Sequence, residues 1–153
     1  MNSIKNSAKA IIIKDGKLLA IKKIKHGSKC YVLPGGGQNP GEDLASAVKR
    51  ECLEELGISV EVVGLKFIRE YIGKNHEFSD VDKDAHRVEF FFHCRIRGEQ
   101  EIRGGLAPDD EQAGIEWLPL DTLENWGFYP KALAGLLKDI ENRDSSFYLG
   151  DVN

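Results

Sequence analysis

Cysteine is scarce in this chain: Cys30, Cys52 and Cys94 are the only three in 153 residues, and no two form a Cys-x-x-Cys pair. An odd, scattered set excludes a disulfide framework and a zinc knuckle, so reduced, packed thiols are expected. Long apolar runs are missing too. The opening MNSIKNSAKAIIIKDGK holds too short an apolar stretch for a secretory leader, and no later segment reaches the length of a membrane span. Positive charge is not in excess: 21 Lys and Arg against 25 Asp and Glu leave a net charge of −4. That balance argues against a nucleic-acid polymer or an anionic membrane as partner. The two common glycine-rich phosphate motifs are also absent. Gly35-Gly36-Gly37 lacks the Gly-Lys-Ser/Thr ending of a P-loop, and Pro40 stands where a third Rossmann glycine would be. No repeat or low-complexity segment is found. With 41% hydrophobic residues the length suffices for one core. A cytosolic protein with one domain over residues 1–153 is expected.

What is present is concentrated between Gly36 and Ile58, GGQNPGEDLASAVKRECLEELGI. Asp43 can cap a helix starting at Leu44, and Gly57 can supply the left-handed residue that ends it after about three and a half turns. At about 100° per residue, Leu44, Ala45, Val48, Cys52 and Leu56 share one side, while Glu51, Glu54 and Glu55 form a neighbouring ridge, with Glu55 inside the apolar arc. Three glutamates at spacings of three and four repel one another by roughly 0.2–0.5 kcal/mol per pair. A cation is the expected repair. A hard divalent ion such as Mg2+ suits carboxylate oxygens and shares its shell with phosphates. Arg50 is placed to orient Glu51 through a bidentate pair.

These residues resemble the Nudix box, with Gly36, Glu42, Arg50, Glu51, Cys52, Leu53, Glu54, Glu55, Leu56, Gly57 and Ile58 at its fixed places and both long gaps at the required length. Cys52 fills an apolar slot as a small hydrophobe. The resemblance implies an α/β domain of Nudix type, an α/β/α sandwich with a mixed sheet and a loop-helix-loop catalytic motif. It also implies metal-dependent hydrolysis of a nucleoside diphosphate linked to another moiety, with Mg2+ as cofactor and Mn2+ as substitute. Glu51, Glu54 and Glu55 would hold metal, joined by the Gly35 carbonyl and by Glu111, which stands about six residues before Trp117; Asp109, Asp110 and Glu116 are alternatives for that last ligand. Arg50, Glu51 and Glu54 are the candidate catalytic residues, and Glu51 is the better candidate base. The family's substrate markers beyond the box are absent, since Lys74 and Asn75 occupy their places. Nucleoside triphosphates are the first expectation for the substrate. The rival readings are a nucleotide sensor, which would usually lose box glutamates that this chain keeps, and a prenyl diphosphate isomerase, which would need extra protonating residues.

Along the rest of the chain, Ala8–Ile13 and Leu18–Ile21 read as strands of a hairpin turned at Asp15-Gly16. Lys22 and Lys23, followed by Lys25, are candidate phosphate contacts. Val60–Ile72 reads as a strand with Val63, Leu65, Phe67, Arg69 and Tyr71 on one face, and Arg69 and Tyr71 are candidate substrate contacts. The 74–84 segment imitates an EF-hand opening but lacks its glycine and closing glutamate, so a solvated loop is expected. Val88, Phe90, Phe92, Cys94 and Ile96 alternate with Glu89, Phe91, His93 and Arg95 over Arg87–Arg97, a strand that sends His93 and Cys94 to opposite faces. Trp126, Phe128 and Tyr129 are candidates to wall a base pocket, and Leu133, Leu136, Leu137 and Ile140 predict a packing helix after Pro130. Ser145–Asn153 reads as a tail that docks late or frays.

Overall fold

The computed structural model describes residues 2–25, 27–102, 112–142 and 147–153. The expected hairpin opens the fold: β1 (Lys5–Lys14) turns at Asp15 and Gly16, with φ of 52° and 73°, into β2 (Lys17–Lys25). Two consecutive residues with positive φ match the right-handed twist of the strands they join. Then follow β3 (Ser28–Val32), β4 (Gly35–Gly37), helix α1 (Leu44–Leu56), β5 (Val60–Ile72) and a connection holding the short helix α2 (Ser79–Asp82). The chain continues through β6 (His86–Ile96), β7 (Gln112–Pro119), β8 (Phe128–Tyr129), the one-turn helix α3 (Lys131–Ala134) and β9 (Phe147–Asp151).

Among the described residues, nine strands form one mixed sheet in the order β8-β3-β2-β1-β6-β5-β9, with β4 on β1 and β7 on β2. β1 runs parallel to β6, and β5 parallel to β9, whereas β5 and β6 are antiparallel. Both faces of the sheet are covered. Alternation along β1 sends Ala8, Ala10 and Ile12 to a core beneath α1 with Val48, Cys52 and Leu56, and sends Ile11 to a second core with Phe91, Leu120, Leu133 and Ile140. Each fully buried aliphatic side chain of these cores contributes roughly 1.5–3 kcal/mol. A helix on one face and the 120–142 segments on the other make the sandwich of layers the α/β reading expects.

Several expectations need correction. Helix α1 buries Ala47 rather than Ala45, together with Val48, Cys52, Glu55 and Leu56. In β5 the register against β6 shifts between Val62 and Gly64 and again between Leu65 and Phe67, so simple alternation fails and Val63 is exposed. The 74–84 segment is folded by a 3-10 turn at Gly73–Asn75 and by α2. No long helix follows Pro130: α3 is succeeded by a 3-10 segment over Leu137–Asn142, with Asp139 outside helical geometry. Leu133, Leu137 and Ile140 are nonetheless buried, because residues three to four apart fall on one side of either helix type. Finally, of the two readings of the 145–153 tail, docking and fraying, the structure shows a docked one: Phe147–Asp151 is a strand on the edge of the sheet, while 145 and 146 lie outside the described residues.

Candidate functional site

The glutamate ridge is built locally. Asp43 caps α1 by accepting from the Ser46 amide at 2.7 Å, and Gly57, at φ 68°, donates its amide to Leu53 O at 3.1 Å. Both ends are therefore fixed, each contributing about 1 kcal/mol to a helix that must hold three like charges in line. Gly35 and Gly36 press against it. Gly35 has φ 140°, where a side chain would overlap β1 backbone, and a Cβ on Gly36 would sit 2.5 Å from Glu51 Oε1. The glycines thus let the chain touch the carboxylates.

Arg50 organises the ridge differently from the sequence expectation. Its bidentate partner is Glu42, through Nε at 3.1 Å and Nη2 at 2.7 Å, not Glu51. Nη1 donates to Glu51 Oε1 at 3.0 Å and to Glu54 Oε2 at 3.2 Å, and Nη2 also reaches the Gly37 carbonyl at 2.9 Å. One guanidinium therefore ties the loop before α1 to two ridge carboxylates, which only a planar fork with five donors can do. Hydrogen bonding from Arg50 holds the Glu42 carboxyl below its usual range. The same glutamates raise Arg50 further above its already high value.

Glu55 stands apart from its neighbours. It is 5% exposed and accepts from the Gly35 amide at 2.8 Å. Burial, helped by the Glu51 charge, pushes its carboxyl up to about 7 against the lowering effects of that amide, Lys9 and Lys23. The Gly35 carbonyl faces the Lys9 ammonium at 3.4 Å. Among the described residues, no three His, Cys, Asp or Glu side chains converge as a ready metal cluster. Arg50 draws Glu51 and Glu54 toward itself instead. Glu111 and its alternatives Asp109 and Asp110 lie outside the described residues. Glu116, the third alternative, accepts from the Tyr31 hydroxyl at 3.0 Å.

Beside the ridge opens a cleft of about 550 Å3. Neither Glu51, Glu54 nor Glu55 lines it, but Lys9 belongs to it and also faces Gly35 O. Its walls carry Lys9, Lys23, Lys25, Lys29, Arg69 and Arg87 against the carboxylates Asp82 and Glu89, with Tyr71, Phe78, Phe91 and Tyr129 as apolar surface. In a protein of net charge −4, this is a strongly cationic concavity, suited to an anion carrying a flat ring. Of the predicted substrate contacts, Lys23, Arg69 and Tyr71 meet here and Lys22 does not, as strand alternation requires of neighbours. Of the three aromatics proposed to wall a pocket, Tyr129 lines the cleft, Phe128 is core and Trp126 packs edge-on against Tyr31.

Arg69 and Glu89 form a buried pair at 2.7 Å across β5 and β6. Burial alone would raise the Glu89 carboxyl, but Lys9, Arg69 and Arg87 outweigh it and hold it below its usual range. Sequence reading gave Glu89 no role, although its place between Val88 and Phe90 on an alternating strand marks a charge pointing to a covered face. Partners also appear for His76, 2.6 Å from Asp151, and His86, 3.2 Å from Glu70. His93 is buried, on the strand face opposite to that of Cys94.

A family model described as the NUDIX domain matches residues 5–137. An ADP-ribose pyrophosphatase of Methanocaldococcus jannaschii is 31% identical over 77% of this chain and 63% of its own length. A MutT-like protein of Streptomyces ambofaciens is 31% identical over 74% of this chain and 62% of its own. The chain therefore spans slightly less than two thirds of these curated relatives. Among solved structures, a NUDIX hydrolase of Nitrosomonas europaea superposes with a TM-score of 0.71 at 20% identity, covering 92% of both chains. A MutT NUDIX hydrolase of Burkholderia pseudomallei gives 0.68 at 25% identity over 90% of this chain and 98% of that one. The mixed sheet between helical layers is thus the fold of those hydrolases. No described helix is long and apolar enough to cross a membrane.

Proposed function

Because the chain belongs to the NUDIX domain family, we propose that it hydrolyses the phosphoanhydride of a small nucleoside diphosphate derivative, acting as one domain. The observation that carries this reading is the pairing of a fixed glutamate ridge with a cationic, aromatic-walled cleft that shares Lys9 with it. Two regions of opposite charge side by side suit a substrate whose anhydride reaches the carboxylates while its remaining charge and ring lie among cations and aromatics.

The donor set fits a hard divalent ion such as Mg2+, with Mn2+ as substitute. Glu51, Glu54 and Glu55 offer oxygen ligands on one helix, with the Gly35 carbonyl and Glu111 as further donors. Burial, helped by the Glu51 charge, raises the Glu55 carboxyl, and a cation bound beside it would favour the ionised form. When bound, such an ion supplies neutralisation of phosphate charge and a lowered pKa for water. The chain's own residues do the rest. Arg50 fixes Glu51 and Glu54, Glu51 is the better candidate to take a proton from water, and Lys23 and Arg69 hold the substrate beyond the anhydride. The metal, base and substrate assignments are all parts of this proposal.

Nucleoside triphosphates are the first substrate choice. ADP-ribose is the second, favoured by the name of the Methanocaldococcus jannaschii relative. The test is release of nucleoside monophosphate from a panel of nucleoside triphosphates, ADP-ribose, dinucleoside polyphosphates and nucleotide sugars with Mg2+. One substrate cleaved well above the rest is expected. Binding without release from any member would indicate a nucleotide sensor, and a rearranged prenyl diphosphate an isomerase.

A further inference from the structure

Residues 151–153, the end of β9 and the two residues after it, sit beside the cleft and are bonded closely to its walls. Asp151 Oδ1 accepts from the Ile72 amide at 2.9 Å and lies 2.6 Å from His76 Nε2, while Oδ2 accepts from Asn75 Nδ2 at 2.7 Å. One carboxylate thus holds the whole turn after β5. His76 in turn stacks on the Tyr71 ring, with centroids 5.2 Å apart and planes at 12°. Arg69 Nη1 donates to Val152 O at 2.7 Å and to Asn153 Oδ1 at 3.2 Å, while its Nε holds Glu89. Arg69 and Tyr71 both line the cleft, and so does Asn153.

One atom in this arrangement has no use. Asn153 Nδ2 is buried and finds no hydrogen-bond partner among the described residues. Turning the amide over would not help, since it would face the nitrogen toward the Arg69 donor and leave the oxygen in its place. A buried donor left unpaired costs about 1–3 kcal/mol, and such a group calls for a reason. The donor belongs to a side chain that lines the cleft, on a segment fixed by Asp151, and its orientation is set by Arg69. We infer that Asn153 is a specificity-determining contact, whose amide donates to an oxygen or ring-nitrogen acceptor on the nucleoside part of the substrate. Asp151 is the positioning residue that holds the wall in place.

This rests on the proposed nucleotide substrate, but the probe can be chosen so that turnover is not needed. AMP has no anhydride to cleave, so its binding reports the cleft alone. The experiment is calorimetric titration of AMP into wild type, Asn153→Asp, Asp151→Ala and Tyr148→Ala, with thermal unfolding of each. Asn153→Asp keeps an oxygen for Arg69 and replaces the donor by an acceptor, so AMP affinity should fall at least tenfold with the unfolding temperature unchanged. Asp151→Ala should weaken AMP by a similar factor. In whichever anhydride is cleaved, both variants should raise KM and leave kcat nearly unchanged, a split that general loosening of the fold would not give. Tyr148→Ala, on the same strand but bonded to Glu70, should bind AMP as wild type does. Equal AMP affinity in wild type and Asn153→Asp, or no AMP binding by wild type, overturns the inference. AMP binding that is Asn153-dependent without cleavage of any anhydride would defeat the hydrolase proposal and leave this one standing.

Discussion

The glutamate ridge and the cationic cleft lie side by side yet are made in opposite ways. The ridge side chains belong to one stretch: among the described residues, the side-chain hydrogen bonds of Glu42, Arg50, Glu51, Glu54 and Glu55 reach at most 20 residues along the chain, Gly35 to Glu55, and only the Glu55 backbone carbonyl is bonded from farther away, by Gln112. The cleft draws Lys9 from β1, Lys23 from β2, Arg69 from β5, Arg87 from β6 and Asn153 from beyond β9, and the order β2-β1-β6-β5-β9 is what assembles them. Chemistry placed on one capped helix stays fixed against changes elsewhere in the sheet. Recognition spread over five segments can be retuned one strand at a time.

The largest effect that separates the two regions should come from Arg50→Lys. Lysine keeps the charge but cannot hold Glu42 in two bonds and Glu51 and Glu54 with the same head group, so turnover should fall about 100-fold while KM changes little. A loss confined to KM would place Arg50 with the cleft and break the division.

Next in size is a stability effect of Glu55. Its folded carboxyl, at about 7, stands above its ordinary value of 4.5, so the proton is bound more tightly in the folded state. That contribution to stability is complete below pH 4.5 and is lost as pH rises through 7. In metal-free buffer at pH 8.5, Glu55→Gln should therefore unfold at a higher temperature than wild type, by up to about 3 kcal/mol in stability, and match it near pH 4.5. Excess Mg2+ should narrow the gap at high pH by stabilising wild type alone. A variant less stable than wild type at pH 8.5 would show that the carboxylate is comfortable where it is.

The smallest effect compares adjacent lysines. Lys23→Ala should raise KM several-fold, whereas Lys22→Ala, outside the cleft, should stay within about twofold of wild type. Equal effects would mean that the cleft does not define the substrate path.

The same contrast explains how much could be read in advance. Asp43, Gly57 and the spacing of Val48, Cys52 and Leu56 write α1 into the sequence, because caps and period act between near neighbours. The role of Glu42 was hidden: its eight-residue separation from Arg50 crosses a loop, and only the folded loop brings the carboxylate to the guanidinium. Strand β9 was missed because its partner β5 lies some 80 residues earlier, and short segments that pair at such distance carry little local signal. The segment after Pro130 was misjudged for another reason. Leucines three and four apart satisfy an α-helix and a string of 3-10 turns alike, and period alone does not choose between them. Lys23, Arg69 and Tyr71 were legible as candidates by residue type, while their meeting in one cleft depends on sheet order.

The most direct test of the central claim is the rate of nucleoside monophosphate release from the best substrate, measured for wild type with Mg2+, with chelator, and for folded Glu54→Gln with Mg2+. A fall of at least 100-fold in both the chelated and the Glu54→Gln reactions is predicted. Near wild-type release from Glu54→Gln, or release indifferent to chelator, would contradict a metal-holding glutamate ridge.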